Sequence, residues 1–219
     1  MGKKRLGLLH TSATLVPIFE LLTKAKLPEV KVFNLVDDSL IKDVIEHGHL
    51  RPQTARRVTQ LVAAAEDAGA DYIMVTCSSI GAAVETAATL ASVPVLRVDQ
   101  PMADRAVATA QRIGVIATLS TTLEPTADLV RRRAAAAGRQ IELTARLCDG
   151  AFEALMSGDP ARHDALVADA LRDLMPQVDV IALAQASMAR VVDTLADADR
   201  RIPILASPPL AVDYLATVL

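Results

Sequence analysis

Short apolar runs alternate along the chain with longer stretches whose apolar positions recur at helical spacing. The apolar runs cover residues 5–10, 30–35, 71–76, 93–98, 113–118, 140–144, 178–184 and 202–206. Each has the length of a strand. Helical patterns lie between them, among others at residues 54–68, 79–90, 123–137 and 161–175. Strand–helix alternation predicts an α/β chain with parallel sheets covered by helices. Runs apolar at nearly every position predict strands buried on both faces.

The pattern also repeats. Arg5-Leu6-Gly7-Leu8-Leu9 matches Arg112-Ile113-Gly114-Val115-Ile116 at an offset of 107. Asp71-Tyr72-Ile73-Met74-Val75-Thr76-Cys77-Ser78-Ser79-Ile80 matches Asp179-Val180-Ile181-Ala182-Leu183-Ala184-Gln185-Ala186-Ser187-Met188 at 108, and Val93-Pro94-Val95-Leu96 matches Ile202-Pro203-Ile204-Leu205 at 109. Each match alone is the likeness of one buried strand to another, but three in order predict a duplication. The expected architecture is two similar doubly wound parallel-sheet lobes related by a pseudo-two-fold. Residues 1–98 plus 207–219 form the first lobe and 99–206 the second. Ligands of such sheets sit at the carboxyl ends of the strands. The expected active site is therefore the cleft between the lobes, at His10-Thr11-Ser12, Thr118-Leu119-Ser120, Thr76-Cys77-Ser78-Ser79 and Ala184-Gln185-Ala186-Ser187.

Composition narrows the function. Of 219 residues 52% are hydrophobic and only 2% aromatic, so the core is aliphatic and a stacking pocket for an aromatic ligand is disfavoured. A formal net charge of −3 gives no basis for electrostatic binding of nucleic acid. The run Arg131-Arg132-Arg133 reads as a solvated helix face. No apolar run reaches membrane-spanning length. Lys3-Lys4-Arg5 is followed by only Leu6 to Leu9, too short for a signal peptide. With two cysteines, Cys77 and Cys148, the expectation is a cytoplasmic protein with free thiols.

Cys77 follows a buried strand and precedes a helix expected from about Ser79. At a helix N-terminus the dipole and free N–H groups stabilise a thiolate. Ser78, Ser79 and Gly81 let an anion approach the backbone. A cysteine that merely closes a buried strand is also common, and the serine-rich turn favours the chemical role. Thr118, Ser120, Thr121 and Thr122 form a second hydroxyl cluster, able to cap a helix or to hold a carboxylate. His10, with Ser12 beside it, reads equally as a structural hydrogen-bonding residue and as an acid or base. His47-Gly48-His49 has no accompanying carboxylates or cysteines and reads as a helix end, so no metal site is expected. Asp37-Asp38-Ser39 is a helix start, and Cys148 an incidental thiol.

These residues carry a resemblance. Val75-Thr76-Cys77-Ser78-Ser79, Ile113-Gly114-Val115-Ile116-Ala117-Thr118 with Thr122-Leu123, Gly158-Asp159 before a helix, and Ile202-Pro203-Ile204-Leu205-Ala206-Ser207-Pro208-Pro209-Leu210-Ala211 stand in order along the chain. Asn34-Leu35-Val36-Asp37-Asp38-Ser39-Leu40 adds to them. With them the chain resembles the aspartate/glutamate/hydantoin racemase superfamily over nearly its whole length. The resemblance implies an enzyme without a cofactor, a small carboxylic acid as substrate and a homo-oligomer. Racemases of this superfamily use two cysteines, one removing the proton α to a carboxylate and the other returning it on the opposite face. Cys77 matches the first, but Gln185 stands where the second belongs, and Gln cannot act as an acid or base near neutral pH. Three readings of a one-thiol site follow. One is an isomerase, with His10 as a second base or with Cys77 as a nucleophile, as in the maleate-isomerase branch. The next is a decarboxylase of the arylmalonate type, with its cysteine on the opposite lobe. The last is a carboxylate binder without chemistry. The candidate donors for the substrate carboxylate are Ser12, Ser78, Ser79, Thr118, Thr122 and Ser187.

Overall fold

The computed structural model describes residues 2–196 and 200–219. In chain order the elements are β1 (Arg5–His10), α1 (Leu15–Lys26), β2 (Lys31–Val36), α2 (Ser39–His47), α3 (Pro52–Asp67), β3 (Tyr72–Val75), α4 (Gly81–Ala88), β4 (Val95–Arg97) and α5 (Gln100–Thr109). They continue with β5 (Arg112–Ala117), α6 (Ser120–Ala136), β6 (Glu142–Leu147), α7 (Ala151–Met156), α8 (Pro160–Leu174), β7 (Val180–Leu183), α9 (Ala189–Thr194), β8 (Ile204–Ala206) and α10 (Ser207–Val218).

The strands form two parallel four-stranded sheets with the same order, β2-β1-β3-β4 and β6-β5-β7-β8. Two compact units result. One holds the residues up to Gln100 together with Pro208–Leu219, and the other holds Pro101–Ser207. The central strands β3 and β7 are buried at every position, and β1 and β5 at every position but the first. Side chains such as Leu6, Leu8, Ile73, Met74, Ile113 and Ile116 are fully enclosed, each contributing about 1.5–3 kcal/mol of transfer free energy.

Equivalent details mark the two units as copies. The Asp71 carboxylate accepts the Arg5 N–H at 2.7 Å, and Asp179 accepts that of Arg112 at 3.0 Å. Gly7 and Gly114 occupy the same place in their strands. A Cβ there would stand 3.1 Å from the Phe33 ring or 2.8 Å from Leu174 Cδ2, so the helices and neighbouring strands close over bare backbone.

Three expectations need correction. The sixth strand runs from Glu142 to Leu147, later than residues 140–144, and pairs with β5 over its whole length. As an edge strand it is largely exposed, so it lacks the continuous apolar run that marks the central strands. β2, the corresponding edge strand of the first sheet, is likewise not buried on both faces. The helix after Cys77 does not start at Ser79. A single 3-10 turn, Ser78–Ile80, comes first, and α4 begins at Gly81.

Candidate active site

In a sheet of order 2-1-3-4 the chain leaves β1 toward one side and returns to the other. A crevice therefore opens at the carboxyl ends of β1 and β3, where such sheets bind ligands. In the first unit those ends carry His10-Thr11 and Thr76-Cys77. In the second unit the same argument selects the ends of β5 and β7, which carry Thr118 and Ala184-Gln185.

Cys77 is half-buried and free. Burial pushes its thiol up, opposed by hydrogen bonds to the sulfur from the Thr11 hydroxyl, from the backbone N–H groups of Ser79 and Ile80, and from the Ser79 side chain. The 3-10 turn is what aims those two N–H groups. Ser78 and Ser79 are both buried in it. The net direction is upward, against the pull of the turn's N–H groups. Desolvation outweighs the donors gathered at the strand end.

His10 is completely buried. Its Nδ1 lies 2.9 Å from Thr76 Oγ1 and its Nε2 2.9 Å from Asn34 Oδ1, so both ring nitrogens are engaged. Burial lowers its pKa, with the Asn34 bond working in the opposite direction. This imidazole ties the end of β1 to β2 and to the end of β3. Ser12 bonds within its own turn, to Thr14 Oγ1 at 2.8 Å. Thr11, between these two, is the residue that reaches the thiol. Sequence reasoning passed it over, although the offset of 107 that maps Arg5 onto Arg112 also maps Thr11 onto Thr118.

In the second unit Gln185 ends its strand as Cys77 does, followed by the 3-10 turn Ala186–Met188. Its Oε1 accepts the Thr118 N–H at 2.6 Å and the Thr118 hydroxyl at 3.0 Å. A backbone N–H can only donate, so the oxygen end of the amide must face Thr118. The Nε2 end, with two donors, is the end left to meet a ligand. Thr118 is buried, and Ser187 is half-buried in the 3-10 turn. Thr122 lies buried in the first turn of α6, its N–H on the Leu119 carbonyl at 3.1 Å. Each unit thus gathers part of the expected set. Cys77 and Ser79 meet in the first, and Thr118 and Gln185 in the second, while Ser78 and Ser187 stand in the adjoining 3-10 turns.

Cys148 closes β6 but is buried in an aliphatic cluster with Ile116, Val167 and Leu171. Burial pushes its thiol up to about 12, so it is inert at neutral pH. His47 and His49 bond to backbone carbonyls, of Asp43 at 2.9 Å and of His47 at 2.8 Å. Among the described residues no helix is long and apolar enough to cross a membrane.

Among curated protein sequences none matches the chain. Solved structures match it along its length. Glutamate racemase from Francisella tularensis, in complex with D-glutamate, superposes with a TM-score of 0.76 at 14% identity, over 100% of this chain and 81% of its own. Aspartate racemase from Picrophilus torridus gives 0.70 at 14% identity, over 98% and 94%. Allantoin racemase from Klebsiella pneumoniae gives 0.69 at 16% identity, over 98% and 87%. At these identities the likeness is one of fold. A sequence model described as Asp/Glu/Hydantoin racemase matches residues 6–215, and the chain belongs to that family of enzymes.

Proposed function

We propose that this chain is a cofactor-independent isomerase acting at or next to the α-carbon of a small carboxylic acid, with Cys77 as its only working thiol. The observation that carries this reading is the pair of equivalent strand ends. Each is held by a threonine, with a thiol at one and an amide at the other. Cys77 exchanges a proton with the α-carbon. Gln185 cannot, and we assign its Nε2 donors to a substrate carboxylate or carbonyl oxygen, whose negative charge grows as the α-carbon becomes planar. Ser78, Ser79, Thr118 and Ser187 supply further donors. His10, both nitrogens occupied, is assigned a structural role. The free thiols accord with a cytoplasmic location.

One observation favours a second reading, decarboxylation on the same scaffold. A thiol kept protonated by burial is ready to give a proton rather than to take one. In that reaction the bond to the leaving carboxylate breaks, its electrons pass to the α-carbon, carbon dioxide departs, and Cys77 protonates the carbanion. Water then restores the thiol.

The test is proton NMR in deuterium oxide with small α-substituted mono- and dicarboxylates, including malonates and maleate. Wild type is expected to exchange, isomerise or decarboxylate one of them, with Cys77→Ala slower by about 10²–10⁴-fold, the usual contribution of a positioned acid or base. Carbon dioxide release selects the lyase. Equal rates for both proteins sink the single-thiol reading, and binding without chemistry makes the chain a carboxylate binder.

A further inference from the structure

Arg97 closes β4 and is buried, with 4% of its side chain exposed. Its Nε and Nη2 fork onto Asp99 Oδ1 and Oδ2 at 3.0 and 2.8 Å, and its Nη1 donates to Glu85 Oε1 at 2.5 Å. Asp99 is fully buried. A guanidinium held by three hydrogen bonds has one position open to it. That position lies against Gly81, the first residue of α4, where any Cβ would overlap the guanidinium carbon. Gly81 also closes the 3-10 turn, its N–H on the Ser78 carbonyl. The turn contains the Ser79 and Ile80 N–H groups that point at the Cys77 sulfur.

The second unit supplies the control. Strand pairing sets Arg97 opposite Val75 and Ala206 opposite Leu183. The helices that follow the two 3-10 turns begin at Gly81 and at Ala189. Arginine with glycine in the thiol unit thus corresponds to alanine with alanine in the amide unit. The glycine is kept where the guanidinium needs the space and is absent where there is no guanidinium. An arrangement needed only to pack a βαβ unit would serve both copies.

We infer that Arg97, fixed by Asp99 and Glu85 and seated on Gly81, is a positioning residue that clamps the turn presenting Cys77. This rests on the single-thiol reading above. The clamp keeps the turn's two N–H groups in line with the sulfur. Releasing it takes those donors out of line, and because each of them lowers the thiol's pKa, its titration moves up.

The experiment is peptide-resolved alkylation of Cys77 by iodoacetamide against pH, with buried Cys148 as the internal monitor of unfolding. Gly81→Ala and Arg97→Lys are each expected to raise the Cys77 midpoint by about one unit, making labelling at pH 8 roughly tenfold slower, while Cys148 stays unlabelled. Glu85→Gln, the mildest change, is expected to shift it in the same direction by less, and it serves if either other variant labels Cys148 and so fails to fold. Unchanged midpoints with a lower Tm overturn the inference and leave Arg97 a packing residue. Alkylation does not require turnover, so this result stands apart from the fate of Cys77→Ala in the NMR assay.

Discussion

The turn after β3 and the turn after β7 share a backbone and differ in what they present. Cys77 has φ −129° and ψ 118°, Gln185 φ −132° and ψ 138°, and each opens a three-residue 3-10 turn. A threonine from the neighbouring strand end reaches each side chain, Thr11 to the sulfur and Thr118 to the amide oxygen. The hydroxyl is therefore part of the inherited scaffold, and the atom it addresses is what diverged. At one turn it tunes a group that can gain or lose a proton. At the other it fixes the direction of a group that cannot. The two units thus offer equivalent strand ends, one carrying a titratable thiol and the other a hydrogen-bonding amide.

Replacing the diverged atom breaks this comparison most. Gln185→Cys places a thiol at both turns. We expect racemisation to appear for a substrate that wild type handles without inversion, with a gain of about 10²–10⁴-fold over its background. Polarimetry or chiral chromatography reads it, and an unchanged enantiomer ratio counts against the assignment of Gln185. A smaller effect tests the shared hydroxyl. Thr11→Val removes a donor that lowers the Cys77 pKa, so its alkylation midpoint should rise by about half a unit to one unit. Thr118→Val should leave that midpoint where it is. The smallest effect concerns His10. Its pKa is lowered from 6.5 in the folded chain, so the unfolded chain binds the proton more readily. The stability it contributes is present above about pH 6.5 and is lost as pH falls through the lower folded value. Thermal unfolding between pH 5 and 8 should show this slope, and His10→Asn should flatten it.

The division of the sequence into apolar runs was enough to place the α/β class, the two similar sheets and the strand end that carries Cys77, because central parallel strands must be apolar and polar residues break the run at its end. Other features left no such mark. β6 is an edge strand whose polar residues conceal its extent. Thr11 reads as one hydroxyl beside His10 and Ser12 until the pairing of β1 with β3 brings it to the sulfur. Arg97 reads as a polar interruption in an apolar run, and only the fold shows it meeting Gly81. The upward pull of burial on Cys77 also left no mark, because a helix terminus is visible in sequence and desolvation is not.

The last helix has a consequence for how the protein is made. α10 supplies Ala211, Val212 and Leu215 to the cluster that also contains Leu6, Leu8, Phe19 and Met74, so the sheet bearing Cys77 is finished with residues more than a hundred positions downstream of that cysteine. The other unit is contiguous, Pro101–Ser207. On the ribosome the amide half can close while the thiol half, synthesised earlier, still waits for its missing wall. Birth order and completion order of the two sheets are therefore reversed.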